Sequence, residues 1–490
     1  MTCSDPIPAA GIADATLFRT EAYIGGRWRA AEDGATFAVT DPANGRTVGD
    51  VSALGHAESA AAVDAAQAAF ADWSARLPQE RAAILHRWHG LIRAAREDLA
   101  RLMVLEQGKP LSEARGEIDY AASFVEFYAE EAKRPNIEGV TSHLPNAEVE
   151  LWLEPVGVVA LITPWNFPSA MLTRKAAAAL AAGCTVVAKP AEETPGTFLM
   201  IAEALAEAGL PGGVLNVIHG APAQISAQLV AHPAIRKISF TGSTAVGKHL
   251  AGLAAAEMKR ITLELGGHAP VIVCEDADLD AAVSMAVAAK YRNAGQICIS
   301  PTRFLVAGRI YREFTDAFAE KARAIQVGPG DDPASTMGPL TSRRRLEAMG
   351  RLVEDAEAKG ARIVAGGERK GNRGHFFEPT VIADAHKDLE VMNTEPFGPI
   401  AAIMPFEAMD DAISEANRLP YGLAAYAFTR SAALARDIGD RVQSGMVGIN
   451  HFGLSTPETP FGGVKDSGYG SEGGSEGLRP YLTTKLISQI

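Results

Sequence analysis

The strongest constraint on the fold is an alternation, beyond residue 164, of short apolar runs with Ala-rich stretches that have helical spacing. The apolar runs include "CTVVAK" (184–189), "VLNVI" (214–218) and "RKISF" (236–240), and Gly or Pro marks each boundary. Apolar runs of this length, separated by helices, are typical of strands that are buried on both faces. We therefore predict an α/β fold with a parallel sheet.

A second series of apolar runs starts after "ITLELGG" (261–267) with "APVIVC" and continues to "GMVGIN", which predicts a second α/β domain. Residues 57–110 carry apolar side chains at helical spacing up to a Gly and a Pro, so we expect helices there. The stretch "EVELWLEPVGVVALITP" (148–164) indicates a strand pair whose second member is buried, and "PYLTTKLISQI" (480–490) indicates a closing strand.

Composition excludes several classes of protein. The chain has 490 residues, of which 47% are hydrophobic, enough for a large core in two or three domains. A formal charge of -13 disfavours nucleic acid and anionic membranes as partners. Cys3, Cys184, Cys274 and Cys298 form no CxxC pair, and we see no signal peptide, membrane-spanning run or metal motif. These features predict a cytoplasmic protein.

The stretch "FTGSTAVGKHL" (240–250) follows a predicted strand and opens a helix, a position that favours an anion. Read from Gly242, it nearly matches the P-loop pattern GxxxxGK[ST], but position 249 is His, which lacks the hydroxyl that would hold magnesium. It does not match GxGxxG either. We expect a phosphate-bearing ligand here, with a P-loop kinase or nucleotide hydrolase as the weaker alternative.

Cys298, in "YRNAGQICIS" (291–300), is the candidate nucleophile because a thiolate attacks carbonyl carbons readily. An ordinary thiol is mostly protonated at neutral pH, so we expect a nearby cation or helix N-terminus to lower its pKa. The alternative is an inert buried cysteine, which suits Cys184 and Cys274 in their apolar runs.

Three other stretches carry polar residues in positions that suggest chemistry. Glu264 ends an apolar run, where a carboxylate is costly unless it is ion-paired or acts as a general base. Asn166 lies between prolines in "PWNFP" and is either an oxyanion donor or a turn residue. Lys189 and Glu192 follow a predicted strand at its carboxyl end, where ligands bind in open α/β sheets, although a solvated loop is equally compatible.

Taken in order, "PWNFP", "KPAEETP", "FTGST", "ELGG", "GQIC", "EPFGP" and "PFGGVKDSG" resemble the NAD(P)-dependent aldehyde dehydrogenase superfamily across nearly the whole chain. The succinate-semialdehyde dehydrogenase branch is the most similar. The resemblance implies a parallel-sheet cofactor domain, a parallel-sheet catalytic domain and a small β element that forms homodimers or homotetramers. The expected boundaries are 1–136 and 156–264 for the cofactor domain, 265–445 for the catalytic domain, and 137–155 and 478–490 for the oligomerisation strands.

The resemblance also implies roles for individual residues. Cys298 attacks the aldehyde, Asn166 and the Cys298 backbone N–H hold the oxyanion, and the thiohemiacetal passes a hydride to the nicotinamide. Glu264 then activates the water that hydrolyses the thioester, and Lys175 and Glu472 match proton-relay positions. The expected cofactor contacts are Thr163, Pro164, Trp165, Lys189, Glu192, Gly220, Gly242, Ser243, Leu265, Glu395 and Phe397.

Charged side chains predict which cofactor and which class of substrate the protein binds. Glu192 can accept both ribose hydroxyls and would repel a 2′-phosphate, so we expect NAD, with NADP possible through Lys189. By the resemblance, Arg174 and Arg292 bind a substrate carboxylate, with a hydroxyl from Ser455 or Thr456. The alternative for each arginine is a structural ion pair.

These arginines predict a small carboxylated aldehyde, such as succinate semialdehyde, as the substrate. Glutarate semialdehyde, 2-oxoglutarate semialdehyde and a general aldehyde are the alternatives. Because Glu264 is present as a hydrolytic base, we favour this over a CoA-acylating enzyme. Ser300 replaces the second cysteine of the redox switch in some relatives, so we predict that this chain has no such switch.

Overall fold

The computed structural model describes residues 11–14, 18–134 and 137–490, so Cys3 lies outside the described residues. The chain begins with two short hairpins that the sequence pattern did not predict, because their strands have only three to six residues. These strands are β1 (Ala22–Ile24), β2 (Arg27–Arg29), β3 (Thr36–Thr40) and β4 (Thr47–Ser52). The predicted helices follow, as α1 (His56–Ala75), α2 (Pro78–Ala94), α3 (Arg96–Gln107) and α4 (Leu111–Glu131).

The next segment builds most of an eight-stranded sheet, whose order is β2-β1-β9-β8-β7-β10-β11-β21. Its strands β7 to β11 are mutually parallel, which confirms the predicted βαβ organisation. Proline opens three of the connecting helices, where its missing N–H costs nothing. The elements are β5 (Ile137–Val140), β6 (Glu148–Pro155), β7 (Val158–Ile162), α5 (Pro168–Ala182), β8 (Thr185–Lys189), α6 (Pro195–Glu207), β9 (Leu215–Val217), α7 (Pro222–Ala231), β10 (Ile235–Thr241), α8 (Thr244–Ala256) and β11 (Arg260–Glu264).

A second, seven-stranded sheet has the order β14-β15-β16-β13-β12-β18-β19, and all of its neighbours except β14 and β15 are parallel. The predicted second α/β series is therefore confirmed. Its elements are β12 (Ala269–Val273), α9 (Leu279–Tyr291), β13 (Pro301–Ala307), α10 (Tyr311–Arg323), α11 (Arg343–Ala358), β14 (Arg362–Ala365), β15 (Thr380–Ala383), β16 (Ile400–Phe406), α12 (Met409–Asn417), β17 (Tyr421–Gly422), β18 (Ala424–Phe428), α13 (Ala432–Arg441) and β19 (Met446–Ile449).

The last strands are β20 (Val464–Lys465), β21 (Gly468–Tyr469) and β22 (Leu482–Gln489). The closing strand was predicted, and it pairs antiparallel with β6 along its whole length to form the small sheet β22-β6-β5. The expectation that β6 and β7 pair with each other is wrong, because β7 lies between β8 and β10 in the large sheet. Of these two strands, β7 is buried at every residue, as predicted. At the start of β6, exposed and half-buried residues alternate.

Each large sheet has its own hydrophobic core. The larger cluster of the first domain packs the end of α1 and the helices α2 to α6 against the sheet, and includes the fully buried Trp73 and Trp88. The second core packs α9, α10 and α11 onto the other sheet through Phe304, Phe314 and Phe318. No helix among the described residues is both long and apolar enough to cross a membrane. The two sheets meet where β11 ends and β12 begins.

Candidate active site

A cleft of about 390 Å³ opens at the carboxyl ends of β7, β10 and β11 and reaches the loop before β13. Ligands of open α/β sheets bind at this edge. Of the predicted site residues, those that line it are Pro164, Trp165, Asn166, Gly242, Ser243, Glu264, Leu265, Cys298, Glu395 and Phe397. The cleft therefore combines the candidate nucleophile, amide donor, base and anion-binding helix terminus.

Cys298 lies in the loop between α9 and β13, after a turn in which three consecutive residues have left-handed backbone conformations. These are Asn293, Ala294 and Gly295, with φ angles of 49°, 52° and 73°. A side chain at Gly295 would place its Cβ 2.2 Å from the carbonyl oxygen of Gly398, so only glycine fits this approach. The turn directs the half-buried thiol into the cleft.

The environment of Cys298 differs from the expectation of a lowered pKa. Desolvation raises the pKa of the thiol to about 12, and the positive charge of Arg174 opposes this only in part. The thiol is consequently protonated at neutral pH, and attack on a carbonyl requires a group that accepts its proton. A sequence motif cannot reveal this, because the shift comes from the packing around the sulfur.

Asn166 lies in the loop from β7 to α5 and is buried. Its side-chain Nδ2 donates to the carbonyl oxygen of Gln296 at 3.0 Å, which joins this loop to the one that carries Cys298. The Asn166 carbonyl oxygen accepts from Lys109 Nζ at 2.8 Å and from Asn293 Nδ2 at 3.0 Å. Three hydrogen bonds, one from the side-chain amide and two to the backbone carbonyl oxygen, thus hold Asn166 at the wall of the cleft.

Glu264 is the last residue of β11 and only 1% exposed, and neither of its carboxyl oxygens has a hydrogen-bond partner among the described residues. Burial, and then the negative charge of Glu472, raise the pKa of Glu264 well above its ordinary value. Both the raised pKa and the missing hydrogen-bond partners favour the neutral carboxyl group over the carboxylate. An unpartnered buried carboxyl group that faces a cleft is poised to exchange a proton with a ligand or water there.

A buried ion cluster lies behind Glu264. Glu472 Oε2 forms an ion pair with Arg174 Nε at 2.8 Å, and Glu472 Oε1 accepts from Lys175 Nζ and from Ser239 Oγ at 3.2 Å. Lys175 also donates to Thr241 Oγ1 at 2.6 Å. Although burial opposes it, the charges of Lys175 and Arg174 hold the pKa of Glu472 below its ordinary value. Lys175 and Glu472, predicted separately, are thus in direct contact. Arg174 makes the structural ion pair that was the alternative to a substrate contact.

The other predicted substrate residues, Arg292, Ser455 and Thr456, are not among the residues that line the cleft. Arg292 is exposed, and its guanidinium lies 5.4 Å from the centre of the Phe167 ring. It makes no ion pair with another residue in the described ranges. The Ser455 hydroxyl contacts that of Tyr120, a residue that the sequence did not single out, whereas Thr456 Oγ1 contacts Thr459 at 3.0 Å.

The cleft also contains a helix N-terminus, an aromatic pair and a buried carboxyl group among the predicted cofactor residues. Ser243 precedes α8 without capping it through its side chain, so backbone N–H groups of the first turn are free for an anion. Trp165 and Phe397 meet edge to face, with ring centres 5.6 Å apart. Desolvation raises the pKa of Glu395 to about 8, and one of its oxygens accepts from the Gly267 N–H at 3.4 Å.

The remaining predicted cofactor residues lie at the carboxyl ends of β7, β8 and β9, outside the lining of this cleft. Lys189 Nζ contacts Glu192 Oε1 at 3.2 Å, and the Thr163 N–H donates to the Lys189 carbonyl at 3.1 Å. Gly220 has a φ of 146°, and a Cβ there would lie 2.5 Å from the carbonyl oxygen of Leu54. Lys189 and Glu192 are therefore one ion-paired unit in the unliganded chain.

Sequence reasoning missed several residues that line the cleft, which are Met171, Thr241, Thr244, Ala245, Gly266, Arg344, Arg345, Thr394 and Tyr421. One signal was available in "SRRRLE", because three arginines in the first turn of α11 oppose the helix dipole. Arg345 Nη2 donates to the carbonyl oxygens of Pro396 and Phe397, the latter at 3.3 Å, and so holds the loop of Glu395. Arg344 is exposed at the mouth of the cleft.

Comparison with known proteins decides between the dehydrogenase and the P-loop alternative. Residues 28–487 match the Aldehyde dehydrogenase family. The chain belongs to this family. It is 44% identical over 474 residues to the NADP(+) succinate-semialdehyde dehydrogenase GabD of Escherichia coli (strain K12), covering 97% of this chain and 98% of that protein. It is also 44% identical over 474 residues to a glutarate-semialdehyde dehydrogenase of Pseudomonas aeruginosa, with the same coverage.

The solved structures agree with the sequence relatives. A crystal structure of succinate-semialdehyde dehydrogenase from Burkholderia pseudomallei has a TM-score of 0.97 to this aldehyde dehydrogenase, with 46% identity, 98% of this chain and 99% of that chain covered. The predicted fold class and family are confirmed. The chain is an NAD(P)-dependent oxidoreductase.

Proposed function

We propose that this aldehyde dehydrogenase oxidises a small carboxylated semialdehyde, of the succinate or glutarate semialdehyde class, to the dicarboxylate. The observation that carries the proposal is the position of Arg292, an exposed guanidinium six residues before Cys298 that forms no salt bridge among the described residues, although its charge also acts on the Glu113 carboxyl group. A guanidinium recognises a carboxylate through two parallel hydrogen bonds. The names of the relatives from Escherichia coli and Pseudomonas aeruginosa support the same substrate class.

In the proposed first step, Cys298 Sγ attacks the aldehyde carbon and loses its proton, giving a thiohemiacetal. The thiol has a pKa raised to about 12, so its proton must leave as the carbon–sulfur bond forms. Asn166 Nδ2 and the Cys298 backbone N–H are the proposed donors to the developing oxyanion. Asn166 is suited to this because its amide is fixed by Gln296 rather than free to rotate.

Bound NAD(P) would supply the hydride acceptor, and the thiohemiacetal carbon would become a thioester on Cys298 as its hydride leaves. The proposed residues that hold it are the first turn of α8 for the phosphates, Glu395 and Phe397 for the nicotinamide ribose, and Lys189 with Glu192 for the adenosine ribose. We propose NAD as the preferred form, because the Glu192 carboxylate opposes a 2′-phosphate while its partner Lys189 is already engaged. Glu192→Gln should then bind NADP more tightly relative to NAD, measured by fluorescence titration of each cofactor.

In the proposed second step, Glu264 removes a proton from the water that attacks the thioester. The raised pKa of Glu264 makes its carboxylate a stronger base once it has lost its own proton. Lys175 and Glu472, in contact behind it, are the proposed route by which that proton leaves the cleft. The products are the dicarboxylate and free Cys298.

The carboxylate of the substrate is proposed to meet Arg292, with the hydroxyl pair of Tyr120 and Ser455 beside it. Arg174 is ion-paired with Glu472, so we assign it a supporting role in which its charge favours the thiolate form of Cys298. The predicted direct contact of Arg174 with substrate remains a prediction.

Assembly and location are also proposals. We propose that the small sheet β22-β6-β5 joins subunits into a homodimer or homotetramer, because all of β5 is exposed and an exposed edge strand can pair with another chain. The domain boundaries given above and a cytoplasmic location remain predictions. Size-exclusion chromatography with light scattering would give the number of subunits.

The test of the proposed function is the rate of NADH or NADPH formation with succinate semialdehyde, glutarate semialdehyde and an uncharged aldehyde of similar length. We expect a clear preference in kcat/KM for the carboxylated aldehydes, and no turnover by Cys298→Ala, although that variant still binds cofactor. Equal kcat/KM values for charged and uncharged aldehydes would reject the substrate class. Turnover by Cys298→Ala would reject the mechanism.

A further inference from the structure

A buried polar cluster outside the cleft connects the helical N-terminal region with both catalytic loops. We call Gln107, Lys109, Glu113 and Glu117 the Lys109 cluster; it lies where α3 ends and α4 begins. Lys109 is 2% exposed, and its Nζ donates to Glu117 Oε2 at 2.6 Å and to the Asn166 carbonyl oxygen at 2.8 Å. The ammonium also lies 4.2 Å from the centre of the Phe167 ring.

Glu117 uses its second carboxyl oxygen on α5. This oxygen accepts from the backbone N–H groups of Ser169 at 2.9 Å and Ala170 at 3.3 Å, both in the first turn of that helix. The residue before α5 is Phe167, which makes no side-chain cap, so Glu117 replaces the missing cap from a different helix. Lys109 and Glu117 together therefore fix the chain from Asn166 into α5.

The other two members hold the turn before Cys298. Gln107 Nε2 donates to Asn293 Oδ1 at 2.8 Å, and Glu113 Oε2 accepts from the Asn293 N–H at 2.8 Å. Asn293 is the first of the left-handed residues, and its Nδ2 donates to the same Asn166 carbonyl oxygen that Lys109 contacts. The Lys109 cluster thus holds both the loop of Asn166 and the turn before Cys298 through hydrogen bonds.

We propose that Lys109 and Glu117 are positioning residues for the reaction, which set the Asn166 amide relative to the Cys298 sulfur. The inference rests on the proposed role of Asn166 as an oxyanion donor. Neither residue lines the cleft, so each acts through the backbone that it holds. Oxyanion donors act only when they lie within about 0.5 Å of the productive geometry, so a small displacement of Asn166 would slow aldehyde addition.

The experiment compares two reactions of the same thiol in the full-length enzyme. Aldehyde oxidation develops an oxyanion, whereas alkylation of Cys298 by iodoacetamide does not. We expect Lys109→Met to lower kcat/KM for the aldehyde at least about tenfold, because a misplacement near 1 Å can cost this much. Its alkylation rate should stay within about twofold of the wild type, since no oxyanion donor takes part.

Two further variants test whether the loss of activity in Lys109→Met comes from misfolding rather than from a displaced Asn166. Lys109→Arg retains a cation that can reach Glu117 and Asn166, and it should restore much of the aldehyde activity. Lys109→Met combined with Glu117→Gln removes both charges of the Lys109–Glu117 ion pair and keeps an amide oxygen for the first turn of α5. This double variant should show the same selective loss as Lys109→Met.

Arg81→Met is the matched control. Arg81 is a buried cation that donates to the carbonyl oxygen of Ala181 at 3.1 Å, at the opposite end of α5. It should lower thermal stability without separating the two reactions of Cys298.

Three outcomes overturn the inference. The first is an equal fall of both rates in Lys109→Met, and the second is unchanged aldehyde oxidation in that variant. The third is the same selective loss in Arg81→Met. Asn166→Ala separates this inference from the proposed function. If Asn166→Ala oxidises aldehydes normally, the oxyanion role itself is wrong. If it is slow while Lys109→Met is normal, only the positioning role is wrong.

Discussion

The two candidate carboxylate-binding arginines should differ in what their replacement changes. Replacing Arg174 should mainly lower stability, whereas replacing Arg292 should mainly lower the preference for carboxylated aldehydes. Arg174 has a side-chain exposure of 1% and is ion-paired with Glu472, whose side chain is 4% exposed. Removing one partner of such a buried pair leaves an uncompensated charge and costs about 3–5 kcal/mol of the free energy of unfolding. Arg174→Met should therefore lower the melting temperature markedly and slow the oxidation of charged and uncharged aldehydes alike.

Arg292 makes no ion pair within the described part of the chain and is exposed, so Arg292→Gln should change the free energy of unfolding by no more than about 0.5 kcal/mol. A hydrogen bond to a charged group contributes about 1.5–3 kcal/mol, which corresponds to roughly a 10- to 150-fold change in kcat/KM. This loss should appear with succinate semialdehyde and be absent with an uncharged aldehyde of similar length.

The assay combines thermal melting with NADH or NADPH formation for wild type and both variants, using the charged and the uncharged aldehyde. Arg309→Gln is a suitable control, because Arg309 is 81% exposed and its partner Glu275 is also exposed. Equal effects of Arg292→Gln on both aldehydes would refute the carboxylate role of Arg292. A stable Arg174→Met variant that loses activity only with the charged aldehyde would refute the structural interpretation of Arg174.

Three more results are expected. kcat/KM should rise as the pH is raised above neutrality, because the Glu264 carboxylate and the Cys298 thiolate both become more populated as protons leave groups of raised pKa; a flat profile would contradict this. Peroxide should give no intramolecular disulfide of Cys298 by mass spectrometry, whereas Ser300→Cys supplies the positive control. Arg344→Gln should weaken cofactor binding about two- to fivefold by fluorescence titration, and Arg343→Gln should not, because Arg344 lines the cleft and Arg343 does not.

The parts of the fold that depend on local pattern were predictable. Apolar runs between Ala-rich helices identified both parallel sheets, because strands buried on two faces leave a continuous hydrophobic signal. The pairing of β6 with β22 could not be deduced in this way, since register between strands more than 300 residues apart depends on tertiary packing. The hairpins before α1 were missed because each strand is too short to show a period.

The site, like the fold, was predictable where it depends on local sequence and not where it depends on tertiary packing. Motif order identified Cys298, Asn166 and Glu264, and the structure brings all three to one cleft. The raised pKa of the thiol and the engagement of Arg174 by Glu472 were not predictable, because both result from burial and from contacts distant in sequence. Such electrostatic effects depend on the distances between groups, which the order of residues does not give.

The position of β11, next to the two-residue edge strand β21, has a consequence for the order in which the site forms. The strand that ends in Glu264 is covered on its outer side only by β21, where Glu264 pairs with Gly468 and the Leu265 N–H donates to Ser467. Glu472, a few residues later, supplies the counter-charge for Arg174. During translation, the first domain can therefore form much of its sheet early, yet the Glu264 carboxyl group reaches its final environment only after residues 467–472 have left the ribosome.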